Sequence, residues 1–392
     1  GWDLSDLKHI ELDNEVLKRY RLLKGDLLFN RTNSKELVGK CEVFAEEGDW
    51  VFASYLIRVR LDSTRVLPGF VSSFLNSPAG RIQIDQVSRQ IAGMSNVNSE
   101  ELRELLIPLP RIDEQKRLLS ELDRARRDRD HALAEANALP SRLDAEISEL
   151  LGIELLPPDA RKSYGIRMAS VRGSRLDATY HHPQYLEAWR ALQAGKGERA
   201  LLGDILLDIA GGSTPKAKDD SLYSASGIKF LRILNVKPNR LDLSDVNYIQ
   251  EEVHEGLLKR SQLAADDVLM TITGRVGTTA VVSSEDLPAN INQHIVRLRV
   301  DTKLCLPKYL SAFLNTGLGT LLTNRPVSGG TRVALDYGAI RQTPLLLPPL
   351  EVQQRVIDLV RKSNANEEKL RAHSAAIWLR AHEYFEQQLL KV

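Results

Sequence analysis

The residues in this sequence that could do chemistry on a partner sit in polar, glycine-marked loops. Asn30-Arg31-Thr32-Asn33-Ser34 follows a short apolar run, with Lys40 close behind. Thr271-Ile272-Thr273-Gly274-Arg275 follows a second such run about 240 residues later. A further pair is Ala92-Gly93-Met94-Ser95-Asn96-Val97-Asn98 and Ser328-Gly329-Gly330-Thr331-Arg332. Asn292-Gln293-His294 adds another polar cluster, and Gly211-Gly212-Ser213-Thr214-Pro215-Lys216 a flexible loop. Arg, Lys, Asn, Gln, Ser and Thr are the side chains that hydrogen-bond base edges and phosphates. Gly lets a backbone approach closely. The same residue types also build ordinary turns, where Asn and Gly take positive φ. Spacing alone leaves both readings open.

Catalytic constellations do not emerge from the same search. There is no Walker A loop, His-Glu-x-x-His, Gly-x-Ser-x-Gly or dinucleotide glycine fingerprint. Nor is there the Asn/Asp-Pro-Pro-Tyr/Phe tetrapeptide that amino-methyltransferases use. His181-His182 lacks a nearby Cys or third ligand, so a loop or core role is expected there. Glu368-Lys369 echoes the end of a nuclease motif, but charged helices produce that pair by chance.

The elements that must position these loops occur twice. Asp3-Leu4-Ser5-Asp6 returns as Asp242-Leu243-Ser244-Asp245, and Leu17-Lys18-Arg19 as Leu258-Lys259-Arg260. Asp26-Leu27-Leu28 returns as Asp267-Val268-Leu269, and Arg58-Val59-Arg60-Leu61-Asp62 as Arg297-Leu298-Arg299-Val300-Asp301. Phe74-Leu75-Asn76 returns as Phe313-Leu314-Asn315, and Gln115 as Gln353. Ordered matches at one nearly constant offset mean a duplicated unit with small loop changes. The second copy begins near Arg175-Leu176-Asp177, which leaves the first copy without a matching opening segment.

Each copy closes on the same junction. Leu109-Pro110 and Leu347-Pro348-Pro349 end a strand, and acidic residues (Asp113, Glu114, Glu351) open a long helical pattern. Leu118, Leu122, Ala125, Ala132, Ala136, Leu139, Leu143, Ile147 and Leu150 form one apolar stripe opposite a densely charged face. A helix of 39 residues would span roughly 58 Å at about 1.5 Å per residue. So narrow a seam is best buried by packing the two helices on each other, antiparallel. Pro140 has no counterpart, since Trp378 stands there, so the first helix is expected to bend or break and the second to run unbroken.

In the heads, strands are expected at Leu27–Phe29, Tyr55–Leu61, Leu105–Leu109, Leu202 onward, Ile228–Ile233 and Asp267–Ile272, with a short helix from Pro68 to Leu75. The fold class is therefore α/β (α+β). Two duplicated globular domains are joined by two long antiparallel helices in a coiled-coil stalk. The divisions are 1–110, 111–165, 166–348 and 349–392, the first domain lacking its N-terminal part.

Composition sets bounds. With 392 residues, 43% hydrophobic and 27% charged, several soluble cores are expected. A net charge of +1 counts against a uniformly basic nucleic-acid binder but permits a basic face balanced by an acidic one. Cys41 and Cys305 are too few for a disulfide framework, which makes a reducing cytoplasm the default. No apolar run is long enough to span a membrane.

At the stretches Gly25 to Lys40, Asp267 to Gly277, Asn290 to His294 and the two Leu-Pro-x-x-x-x-Gln helix entrances, the chain resembles the specificity (S) subunits of type I restriction–modification systems. The resemblance covers nearly the whole chain. It implies two target-recognition domains, each reading half of a bipartite double-stranded DNA sequence, and two helices acting as a ruler. It implies two methyltransferase (M) subunits docked on those helices, a restriction/translocase (R) subunit joining them, and a prokaryotic cytoplasm. The chain itself would be non-catalytic and hold no cofactor, S-adenosylmethionine and ATP/Mg belonging to the partner subunits. DNA contacts carried over are Arg31, Asn33, Ser34, Lys40, Ser95 and Asn96 in the first domain. In the second they are Lys216, Thr273, Arg275, Asn292, Gln293, Thr331 and Arg332. The alternatives are a related system with methylation and cleavage in one partner chain, an enzyme acting on DNA in its own right, and a coiled-coil scaffold.

Overall fold

A computed structural model describes residues 7–91, 94–154, 162–168, 177–215, 220–325, 334–389 and 391. The chain divides into two compact units. Unit 1 is Gly1–Ala136 with Glu368–Val392, and unit 2 is Asn137–Glu367. Both cuts fall inside the two long helices, Ile112–Leu151 and Leu350–Leu389, which therefore join the units.

Unit 1 is built on an antiparallel sheet in which Leu27–Asn30 lies between Cys41–Val43 and Leu56–Val59. Unit 2 repeats it with Val268–Thr271 between Thr279–Val281 and Ile295–Val300. The register is the same. Leu27 faces Val43 and Val59, and Val268 faces Val281 and Leu298. Unit 2 adds Leu206–Gly211 beyond Ile295–Val300, and a second sheet ordered Ala289–Ile291, Ile228–Leu231, Asn247–Ile249, Tyr223–Ser224.

Behind each central sheet a proline opens a short helix, Pro68–Leu75 and Pro307–Leu314, using the position where a missing N–H costs nothing. A second helix follows at once, Pro78–Val87 and Gly317–Asn324. The corner demands glycine. A Cβ on Gly80 or Gly319 would fall on the carbonyl oxygen of Phe74 or Phe313. Phe70, Phe74 and Leu75 fill the core of unit 1, and Tyr309, Phe313 and Leu314 that of unit 2.

The ends of the long helices are part of these cores. In unit 1, Leu118 and Leu122 from the start of the first helix share a cluster with Phe385 and Leu389 from the end of the second. In unit 2, Ile147 and Leu151 meet Val356 and Val360. Start against end means the helices run antiparallel. They pack on each other and also on their heads, so the apolar seam is wider than the charge pattern implied. Farther along the helix pair in unit 1, the Arg129 guanidinium lies 4.4 Å from the centre of the Trp378 ring.

Two local expectations are corrected, and a break at Pro140 does not occur. The first long helix is continuous through Pro140. The ring removes one N–H and costs about 3 kcal/mol in a helix interior, but Ala136, Leu139 and Ile147 are buried on both sides of it and hold the helix. The second helix runs unbroken, as expected. Leu202–Ile205 is a single helical turn, and the strand starts at Leu206. The stretch 105–109 is not a strand, having no ladder partner among the described residues.

Candidate nucleic-acid interface

The polar loops leave corresponding points of the two central sheets. In unit 1, Arg31 follows Leu27–Asn30, its N–H donating to Tyr55 O at 3.0 Å and its carbonyl accepting from Val97 N–H at 2.9 Å. Thr32–Asn33 then pairs with Met94–Asn96, placing Thr32 opposite Asn96 and Asn33 opposite Ser95. Asn96 Nδ2 donates to Thr32 Oγ1 at 2.8 Å, and Asn33 Oδ1 accepts the Ser34 N–H at 2.9 Å. Lys40 is held at the base of this ribbon, where its carbonyl accepts from Asn30 N–H at 2.9 Å while its side chain is exposed.

One local pairing thus gathers Arg31, Asn33, Ser34, Ser95 and Asn96, with Lys40 nearby. Ser95 is only 2% exposed, so it builds the ribbon and does not face solvent. Arg31 has no acidic partner among the described residues.

Unit 2 repeats the pairing. Thr273 bridges Ala334, and Leu335 N–H donates to Ile272 O at 3.0 Å, matching the bond from Val97 to Arg31. Around Thr273 a polar cluster forms. Its hydroxyl lies 2.9 Å from His294 Nδ1, and Ile272 N–H donates to His294 O at 2.9 Å. Asn292 Oδ1 accepts the His294 N–H at 3.1 Å, Gln293 Nε2 lies 3.0 Å from His294 Nε2, and Thr214 donates to Gln293 Oε1. Gly274, at φ 68°, turns the chain to leave Arg275 exposed, and no ion pair engages that guanidinium among the described residues. Asn292 is 9% exposed and orients the turn from within. Lys216, Thr331 and Arg332 lie outside the described residues.

His294 and Thr214 were not carried over as contacts, although His294 is the hub of the cluster. The available signal was Gly212. A Cβ there would fall on the carbonyls of Ile291 and Asn292, so the glycine loop has to approach the Asn-Gln-His turn. His182 caps the helix Pro183–Ala194, Nδ1 accepting the Gln184 N–H at 3.4 Å, and so has a structural place of its own.

Buried charge fixes the sheets beneath these loops, again in duplicate. Asp26 Oδ1 lies 2.8 Å from Arg60 Nε, and Asp267 Oδ1 lies 2.7 Å from Arg299 Nε. The second oxygen of each aspartate accepts a backbone N–H, from Leu23 at 2.9 Å and from Ala264 at 2.7 Å. These bonds hold both arginines above their usual pKa. Burial pushes the thiols of Cys41 and Cys305 up to about 12, leaving both as packed, unreactive thiols. No group of three metal-ligating side chains is found among the described residues, and no described helix is long and apolar enough to cross a membrane.

Fold and loops together define a duplicated α/β protein that presents two similar polar edges, joined by long antiparallel helices. Residues 200–370 match the family described as "Type I restriction modification DNA specificity domain". It is 22% identical over 297 residues to the "Type I restriction enzyme EcoBI specificity subunit" of Escherichia coli, a match covering 74% of this chain and 56% of that one. It is 28% identical over 147 residues to the EcoKI specificity subunit of Escherichia coli strain K12, covering 35% and 32%. The matches span about half, or less, of the length of these curated relatives. A solved chain from work on complex assembly and conformational transition of the type I R-M system superposes with a TM-score of 0.56 at 18% identity, covering 95% of this chain and 82% of that chain. That likeness is one of fold.

Proposed function

We propose that this chain is the DNA-recognition subunit of a type I restriction–modification assembly, with each unit reading one half of a bipartite target. The observation that carries the reading is the repeated loop pairing. Thr32 with Asn96 and Thr273 with Ala334 bring polar residues to the same edge of two sheets built in one register. In unit 1 the contacts would come from Arg31, Asn33, Ser34, Lys40 and Asn96. In unit 2 they would come from Thr273, Arg275, Gln293 and His294, with Lys216, Thr331 and Arg332 as further contacts. Ser95 and Asn292 would act by positioning.

The long helices would serve as the ruler between half-sites and as the seat for two methyltransferase subunits, to which the restriction/translocase subunit is added. The proposed domains are 1–110 and 166–348, with spacer helices in 111–165 and 349–392. S-adenosylmethionine and ATP/Mg would be bound by the partners, in a prokaryotic cytoplasm, and the chain would contribute sequence choice and no catalysis.

A loop exchange tests this. The assembled complex carrying residues 271–275 and 292–294 from a relative of different specificity should methylate a sequence altered in one half only. A change in both halves, or in neither, overturns the two-reader model.

A further inference from the structure

Two threonines occupy one place in the duplicated fold. Thr32 follows Arg31, whose carbonyl accepts the Val97 N–H, and it pairs with Asn96. Thr273 follows Ile272, whose carbonyl accepts the Leu335 N–H, and it bridges Ala334. Both residues are half-buried at the edge that carries the polar loops. Each hydroxyl is met by a nitrogen of its own unit. Asn96 Nδ2 lies 2.8 Å from Thr32 Oγ1, and His294 Nδ1 lies 2.9 Å from Thr273 Oγ1.

The direction of these bonds decides what each hydroxyl offers outward, since a hydroxyl has one proton and two lone pairs. In unit 1 the direction is fixed, because the Asn96 amide nitrogen only donates. In unit 2 an imidazole can run either way, and a chain of bonds sets it. Thr214 donates its proton to Gln293 Oε1, which turns Gln293 Nε2 toward His294 Nε2, 3.0 Å away. The Gln293 nitrogen also only donates, so His294 Nε2 is the bare, accepting nitrogen. A neutral imidazole then carries its proton on Nδ1, which donates to Thr273. The turn beneath is held in place. Ile295 N–H donates to Asn292 O at 3.2 Å, and the buried Asn292 Oδ1 takes the His294 N–H.

Different neighbours thus leave both threonines in one state. Each oxygen already takes an N–H, and no acceptor among the described residues takes its proton. That proton is the group left to point outward. An acceptor on a base edge would complete its bonding. An amino group would set donor against donor, and once DNA covers the edge an unmet O–H is costly.

We infer that Thr32 and Thr273 are specificity-determining residues. Each is held as a hydrogen-bond donor that selects an acceptor (a keto oxygen or a purine N7) at one position of its half-site and rejects an amino group there. The inference rests on the proposed reading of these edges as DNA contacts and adds the base chemistry that each selects. Asn96 and the chain His294–Gln293–Thr214 gain a second task, that of orienting the hydroxyls.

Two measurements test it. In the full chain with isotope-labelled histidine, the nitrogen signals lost in His294→Gln should show the ring protonated at Nδ1 and bare at Nε2. A proton at Nε2 reverses the chain, makes Thr273 an acceptor and overturns the inference for unit 2, without touching the proposed role in DNA recognition. The second measurement uses the assembled complex and the sequence it methylates, with single atoms deleted from its bases one at a time. Loss of one keto oxygen or N7 in one half should weaken binding about tenfold or more, and Thr273→Val should erase that penalty. Thr32→Val should do the same in the other half. Thr273→Ser and Thr32→Ser keep the hydroxyl and should keep the penalty. A penalty coupled to an amino group, or no coupling at either threonine, overturns the inference and leaves specific methylation, with the DNA-recognition reading, in place. A complex that methylates no defined sequence overturns that reading, and the inference with it.

Discussion

Gln115 Oε1 accepts the backbone N–H of Leu67 at 2.8 Å, across 48 residues of sequence. Its Nε2 donates to Arg65 O at 3.1 Å and Pro110 O at 2.8 Å, so one buried amide ties a helix entrance to the loop before the helix Pro68–Leu75. Gln353 makes the same three bonds, to Leu306 N–H at 2.8 Å, Leu304 O at 3.0 Å and Pro348 O at 2.9 Å. Each glutamine is at most 1% exposed. Truncation strands one donor and two acceptors away from water. Gln115→Ala and Gln353→Ala should each destabilise their own unit by about 2–4 kcal/mol. Native-state hydrogen exchange should locate each loss in one unit.

Gly212→Ala should disturb recognition more than folding. The added methyl meets the Ile291 and Asn292 carbonyls, at the foot of the Thr273–His294 cluster. DNA affinity of the assembled complex should fall at least about tenfold with a thermal midpoint lowered by only a few degrees. Parallel binding and melting curves decide, and an unaltered affinity would separate this cluster from DNA.

Arg275→Gln removes one exposed cation with no ion-pair role among the described residues. The slope of log affinity against log salt should drop by about one if it meets a phosphate. If it reads a base edge, the slope should hold and selectivity at one target position should relax, by about 1–3 kcal/mol.

Asp144 carries a pH dependence. Burial raises its pKa, opposed by the Gly317 N–H that it accepts at 3.1 Å. A raised carboxyl pKa means the folded chain holds this proton more tightly than the unfolded one. Its effect on stability is therefore most favourable below the unfolded value of 3.8 and is lost as pH rises through the folded value. Asp144→Asn keeps an acceptor for Gly317 and removes the buried charge. It should stabilise unit 2 at neutral pH, and the gain should shrink on acidification. Denaturant melts of both forms from pH 4 to 8 measure this. A gain that grows on acidification would falsify the assignment.

Both cysteines should resist alkylation. With thiols raised to about 12 by burial, Cys41 and Cys305 should react at pH 8 only when denaturant opens the chain. Mass spectrometry after iodoacetamide with and without urea tests it.

Much of this was legible in the residues. The repeat, the proline-led helices and the two long helices follow from spacing that tertiary contacts only reinforce. Pro140 does not break the first helix, because propensity is a local quantity, while Leu139 and Ile147 hold that helix through contacts distant in sequence. The stretch 105–109 looked like a strand because its apolar content is right. A strand is made by its neighbour, and no single segment records whether the neighbour is present. His294 is not legible as a site residue because its partner Thr273 lies 21 residues away in the chain, and Thr214, which bonds the adjacent Gln293, lies 79 residues from that glutamine.

The core that Leu118 and Leu122 share with Phe385 and Leu389 sets an order of manufacture. Residues 137–367 form a contiguous unit that can close while synthesis continues, but unit 1 is completed only by residues made after that unit, Phe385 and Leu389 among them. Until Phe385 clears the ribosome, the face of Phe70 it covers stays open to chaperones. A nascent chain arrested before that point should be protease-resistant in its later-made half and sensitive in its earlier one, the reverse of the usual vectorial sequence.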